Sequence, residues 1–253
     1  MKKYLLFLVS TLFICTSLFA QKEYKDSITV KTKTKTKSKA YLVFEETWNF
    51  QYGMIQDNNG HKANSIVRFA PIGNMSLQLN KDFGNAFGIY TGVGTKNLGF
   101  ITKNDTSGER IKSRAYCLSI PVGLKIGNMK KEKYFYLQGE FLWQFDYKEK
   151  VFSDGQKTKR KNFYNPGINA INWSSTAGFN YKGFTFGVEY TLTNFFSGSY
   201  RFQDVKSNAM IYPTIEKSQI LTFFIGFRAD LRSEKSSSTP APKQLQQARL
   251  NQY

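Results

Sequence analysis

Very few residues of this chain could carry chemistry. Its 253 residues include one histidine and two cysteines. Acid–base and nucleophilic sites are most often built on a histidine set beside carboxylates or a serine. The single candidate, His61, sits in an Asn58-Asn59-Gly60-His61 turn close to Asp57, and no Gly-x-Ser-x-Gly context presents a nucleophile. His61 therefore reads as a solvated turn residue. It shares no ligand spacing with Cys117, and the run DTSGE at 105–109 lacks the length and Asp spacing of a calcium loop. The sequence predicts no catalytic residue, no metal site and no cofactor.

Charge is the other resource. The 36 Lys and Arg exceed the 18 Asp and Glu, for a net charge of +18. A nucleic-acid surface would interleave such cations with stacking aromatics on one folded face. Here the excess gathers in 22–39 and 148–161, while the aromatics occupy alternating stretches elsewhere. Nucleic acid is excluded as a partner on that ground. Charges that fall on the polar side of the alternating stretches are Glu45, Arg68, Lys125, Glu140, Asp146, Lys148, Glu189, Arg228 and Asp230. Their signs nearly balance, and charges enclosed together must be paired. A structural ion-pair network inside a narrow fold is the expected chemistry.

The elements that position these residues begin after the first twenty. Residues 1–20 combine two lysines, an apolar stretch and a small residue at Ala20 before Gln21, the layout of a secretory signal peptide. Cleavage removes Cys15 and leaves Cys117 with no disulfide partner, so stability must come from backbone pairing and burial. Residues 21–39 read as a basic flexible leader and 233–253 as a flexible tail, with a folded domain over 40–232. No later window is apolar for 18 residues, so an exported chain of this kind could enter a membrane only as a closed barrel.

Within 40–232 apolar residues recur at every second position, the period of a strand with two unlike faces. The pattern is sharpest over 115–126, 135–148, 184–193 and 221–231, and looser over 42–54, 66–79, 87–98 and 171–181. That makes eight strands. Connections alternate between short (80–86, 127–133, 181–183) and long (55–64, 99–110, 149–170, 194–218), as in bacterial outer-membrane barrels. The expected fold is an all-β, eight-stranded antiparallel up-and-down transmembrane barrel with both termini periplasmic. Trp48, Tyr52, Phe135, Tyr147, Trp173 and Tyr181 fall near strand ends, where an aromatic girdle meets lipid headgroups. A soluble exported ligand-binding barrel also alternates, but it would carry Lys and Glu on its outward face.

Three stretches resemble the PorT-like outer-membrane β-barrel family: FGIYTGVG at 87–94 running on to Gly99-Phe100, SIPVGLK at 119–125, and the closing strand at 221–227. The resemblance spans about 47–231 and implies a barrel that serves as a subunit of a membrane export assembly. Residue patterning points to a non-enzymatic outer-membrane protein whose lumen its own side chains fill, with a narrow pore for small solutes as the alternative. The expected partners are outer-membrane lipid, lipopolysaccharide and other envelope or secretion-machine proteins.

Overall fold

The computed structural model describes residues 40–103, 109–153, 155–203, 210–211, 213 and 215–232. The expected signal peptide, basic leader and tail lie outside these residues. The described strands are β1 (Tyr41–Asp57), β2 (Asn64–Ile66), β3 (Arg68–Ala70), β4 (Met75–Phe83), β5 (Phe87–Lys103), β6 (Arg110–Asn128), β7 (Lys133–Ser153), β8 (Gln156–Phe163), β9 (Ile171–Tyr181), β10 (Phe184–Thr191), β11 (Phe202–Gln203), β12 (Met210–Ile211) and β13 (Ile215–Asp230).

Antiparallel pairing runs β13-β10-β9-β7-β6-β5-β4-β1, and β1 pairs back onto β13 from Val43↔Asp230 to Asp57↔Ile215. The sheet is therefore closed. Strands β3 and β4 lie end to end along β1 and form one interrupted wall, which brings the ring to eight walls. The interruption falls at Pro71, which has no N–H to donate, and at Gly73, whose φ of 85° is left-handed. Thr47 N donates to Asn74 O at 2.9 Å across the gap, so the wall stays joined.

Which face is greasy decides what kind of barrel this is. Along β6, Leu118, Ile120, Val122, Leu124 and Ile126 are exposed, whereas Cys117, Ser119 and Lys125 are buried. Strands β7, β9, β10 and β13 repeat the arrangement, with outward Phe135, Leu137, Trp173, Phe184, Phe186, Phe223 and Ile225. A soluble barrel is built the other way round. The outer wall is also stitched by rings: Phe135–Phe179 and Phe179–Phe186 at 5.5 Å, Phe184–Phe227 at 5.0 Å and Trp48–Phe227 at 6.2 Å. Such pairs add about 0.5–1.5 kcal/mol each beyond area burial.

Two glycines on the inward face have a defined task. A Cβ at Gly123 or Gly178 would lie 2.3 Å from the ring of Tyr90 or Tyr136 respectively, the residue opposite each in register. Each glycine is the seat on which a tyrosine lies flat inside the barrel.

The strands outrun the apolar pattern at the long-loop end. Residues 99–110 and 149–170, expected as loops, largely continue β5, β6 and β7 and add β8, which pairs with Asp146–Ser153 of β7. Backbone pairing persists there while the side chains turn from apolar to charged, so alternation of hydrophobicity no longer marks it. Between Tyr116/Cys117 of β6 the register with β7 also shifts: Tyr116 faces Asp146 and Cys117 faces Gln144, which leaves Phe145 as a bulge. A bulge inverts which alternate residues face inward beyond it. Three expectations fail for that reason. Tyr147, expected in the outer girdle, is fully buried inside, and Lys148, expected in the lumen, points outward. Asp146, also expected in the lumen, is buried but stands in register with Tyr116 and Phe163 on the outward side, where it meets Lys161.

Candidate functional site

The site is the lumen, and its polar groups form layers from the short-turn end upward. Lowest, Lys125 Nζ lies 2.8 Å from Asp82 Oδ1 and donates to the Tyr41 hydroxyl at 2.9 Å, which itself donates to Asp82 Oδ2 at 2.7 Å. Next is Arg228. Its guanidinium donates to Gln78 Oε1, stands 3.7 Å from Glu45 Oε1, and lies 5.0 and 4.9 Å from the Tyr90 and Tyr136 ring centres. Gln78 also donates to Glu45 Oε2.

The middle layer pairs one cation with two acids. Lys96 Nζ donates to Glu140 and to Glu189 across the barrel, joining β5 to β7 and to β10. Gln138 Nε2 donates to Glu140 Oε2 at 3.1 Å, and the Tyr90 hydroxyl donates to Gln138 Oε1 at 2.8 Å, which ties this layer to the one below. An internal pocket bounded by Glu45, Tyr136, Glu140 and Glu189 holds about 40 Å³, room for a few waters.

Above these layers the polar interior gives way to a stopper. The connection after β10 folds in Phe195, Phe196 and Tyr200, all buried, against Phe100, with ring centres 5.3 and 5.5 Å from Phe195 and Phe196. Tyr147 joins them 6.2 Å from Phe195. Its hydroxyl and that of Tyr200 both donate to Glu149 Oε2 at 2.7 Å, and Arg160 lies 3.7 Å from the other oxygen of that carboxylate. The bulge at Phe145 puts Tyr147 and Glu149 in position to close the mouth.

Of the nine charges expected inside, the structure brings Glu140 and Glu189 together on Lys96, and Glu45 together with Arg228. Lys125 meets Asp82 instead of another member of the set. Arg68 faces amide groups, donating to Gln51 and Asn97. Asp146 reaches Lys161 at 3.5 Å, and Asp230 pairs with Arg232 at the rim. Lys148 is outside. The key residues missed are Lys96, Asp82 and Gln78. Lys96 is the next inward position after Tyr90, Gly92 and Gly94 on β5 and lies within the strand read over 87–98, so following that alternation two residues past Gly94 finds it. Trp48, Tyr52, Phe135, Trp173 and Tyr181 face outward as their parity requires, Tyr147 being the exception.

Because Arg228 is held by an amide, a carboxylate and two ring faces, lysine is not its equivalent. Arg228→Lys keeps the charge but loses the fork and the ring contacts, so it should lower stability measurably, yet by less than the ~3–5 kcal/mol that removing a partner from a buried pair costs. Denaturant titration of the lipid-inserted protein would measure it, and an unchanged midpoint would show that the rings contribute nothing.

The other candidates remain surface groups. Asp57 Oδ1 accepts from Asn59 N at 2.9 Å and from His61 N at 2.8 Å, and the His61 ring lies 3.1 Å from Oδ2. Slight desolvation opposes ionisation, but those contacts hold the Asp57 carboxyl below its ordinary value. The arrangement ties off a turn. Among the described residues no three His, Cys, Asp or Glu side chains gather at one place to hold a metal. Cys117 is fully buried.

A family described as outer membrane protein beta-barrel domain matches residues 19–207. No curated protein matches the chain. Solved structures that resemble it include Neisserial surface protein A, 8% identical over 76% of this chain and 98% of that one, with a TM-score of 0.40. Ail, the attachment invasion locus protein of Yersinia pestis, solved in complex with the heparin analogue sucrose octasulfate, is 12% identical over 76% of this chain and 97% of its own, with a TM-score of 0.37.

Proposed function

The chain belongs to the outer membrane β-barrel domain family, and from that premise we propose that it is a sealed, non-enzymatic barrel whose role is exerted at the membrane surface and not through its lumen. The observation that carries this reading is the filled interior: three polar layers crosslinked from wall to wall, and above them an aromatic stopper. A conducting pore needs solvated groups along a continuous path. Here Lys96 spends its charge on two carboxylates, and Phe195, Phe196 and Tyr200 occupy the space above.

On this reading both termini lie on the periplasmic side, because the ring has eight walls and its tight turns, such as Tyr181–Phe184, share an end with Tyr41 and Asp230. Processing between Ala20 and Gln21 precedes insertion. A place in an export assembly is the finer reading that the PorT-like resemblance supports. Retrieval of a stable complex from solubilised outer membranes would support that role, and recovery of the barrel alone would count against it.

Planar-bilayer recording tests the sealed lumen. The purified full chain should give no discrete conductance steps across the voltage range it tolerates. Regular single-channel openings from a homogeneous preparation would overturn the reading in favour of a narrow solute pore.

A further inference from the structure

The bulge at Phe145 does more than seal the mouth. Beyond it, the outward positions of β6, β7 and β8 form a three-by-three grid above the apolar wall, set by register. Arg114 stands beside Lys148 and Lys148 beside Lys161; in the next row are Lys112, Lys150 and Lys159; in the last, Arg110, Phe152 and Lys157. Eight of the nine positions are cationic and none is acidic. Neighbours sit about 5 Å apart across strands and about 7 Å apart along them. Of the acids on β7, Glu149 and Asp146 are buried, and Asp146 reaches the grid's lower corner, 3.5 Å from Lys161.

Among the described residues, no carboxylate occupies a position of the grid. Lys148 lies between Arg114 and Lys161 across the strands, with Lys150 as its next outward neighbour along β7. Lys150 in turn lies between Lys112 and Lys159. Eight cations at such spacing make a surface complementary to a polyanionic group.

Where the grid sits identifies the anion. It lies on the lipid-facing side of the same strands, in line with Leu118 and Ile120 below it on β6. At its foot is an aromatic cluster: Trp143 with Tyr164 at 6.0 Å and Phe145 with Phe163 at 6.1 Å, with Phe163 and Tyr164 prominently exposed. Aromatics of this kind mark the depth at which acyl chains give way to headgroups. Cations one step higher stand at headgroup level, facing sideways into the leaflet and not upward into solvent. The geometry points to the grid as a docking surface for phosphorylated lipid headgroups of the outer leaflet around the barrel. This rests on the orientation proposed above, with the long connections outside.

The test reconstitutes the full chain into zwitterionic bilayers containing a minor fraction of diphosphorylated lipid A, or of the same lipid stripped of its phosphates, and measures the lipid retained by the isolated barrel. The expected result is enrichment of the diphosphorylated form that weakens with salt. A Lys148→Glu, Lys150→Glu, Lys159→Glu variant should lose that enrichment by about tenfold or more. The milder triple Gln variant should lose part of it, and both should keep heat-dependent gel mobility. Equal enrichment of the dephosphorylated lipid, or undiminished enrichment in both variants, would overturn the proposal. So would soluble heparin binding the barrel at physiological salt and displacing the lipid, which would assign the grid to a soluble polyanion. Orientation is read separately by labelling Gln156→Cys on intact cells with an impermeant maleimide, since Cys117 is buried. Lack of labelling would reject the orientation, whereas lipid selectivity in symmetric bilayers judges the grid alone.

Discussion

Replacing Lys96 by methionine should unfold much of the barrel, and replacing its two acidic partners at the same time should restore it. Lys96 is the only cation that Glu140 and Glu189 meet in the described structure, and both carboxylates are almost wholly buried. Without the ammonium, two acids face one another in a space that admits a few waters. Removing one partner from a buried pair typically costs about 3–5 kcal/mol, because the charge left behind keeps its desolvation penalty and loses its compensation. Here two charges are stranded, so Lys96→Met should reach the upper end of that range. That is a large part of the ~5–15 kcal/mol that separates folded from unfolded states in proteins of ordinary stability. A Lys96→Met, Glu140→Gln, Glu189→Gln triple variant carries no buried charge at this level. Its amides keep hydrogen-bonding capacity towards Gln138, so its stability should lie within about 2 kcal/mol of the parent. Urea titration in lipid, followed by loss of the heat-modifiable band, reads both. If the single and triple variants are equally stable, the layer is not an ion-pair crosslink.

How legible this layer was depends on the contrast each strand offered. On β7, large apolar residues face outward opposite Gln138, Glu140 and Gln144, so Glu140 stood out as an inward charge. On β5 the outward face includes Thr91 and Thr95 and the inward face Gly92 and Gly94, so neither face is plainly apolar and Lys96 passed unnoticed between them. The eight-walled closed barrel could be read from the sequence because lipid outside and enclosed polar groups inside force opposite compositions on alternate positions. Asp82 and Gln78 were obscured by the interrupted wall. Pro71 and Gly73 break the periodicity a few residues earlier, and the register of β4 has to be taken from its pairing with β1 and β5. Beyond the bulge at Phe145 the outward face of β6, β7 and β8 is cationic at every grid position but Phe152, so apolar alternation fades and β8 and the upper parts of β5, β6 and β7 read as loops.

Deleting Phe145 should leave the barrel folded with its faces unchanged, although it takes a residue out of the middle of β7. Parity counted from Phe135 puts Tyr147 outside and Lys148 inside, and the structure reverses both because one residue bulges out of the β6–β7 ladder. Without that residue the ladder runs on unbroken, with Gln144 still opposite Cys117, Asp146 opposite Tyr116 and Tyr147 opposite Ala115. Tyr147 and Glu149 therefore still turn inward and keep the hydroxyl bonds to the Glu149 carboxylate, while Lys148 and Lys150 still face outward. What is lost is the phenyl ring with its contact to Phe163 and the local twist of the bulge, so the cost should stay within about 3 kcal/mol. Phe145→Leu, which keeps the bulge and an outward apolar side chain, should cost less than about 1.5 kcal/mol. Deleting Trp143 shortens the strand by the same count, but it turns Gln144 out onto the lipid face and Phe145 inward before the ladder recovers at Asp146, so it should be far more destructive. Heat-dependent mobility of the three variants would show that the count of residues, and not the phenyl ring, sets which face of β7 meets the membrane and which closes the barrel. If the Phe145 deletion loses the folded form while Phe145→Leu keeps it, the bulge itself is needed to close the barrel and residue count alone does not set the faces.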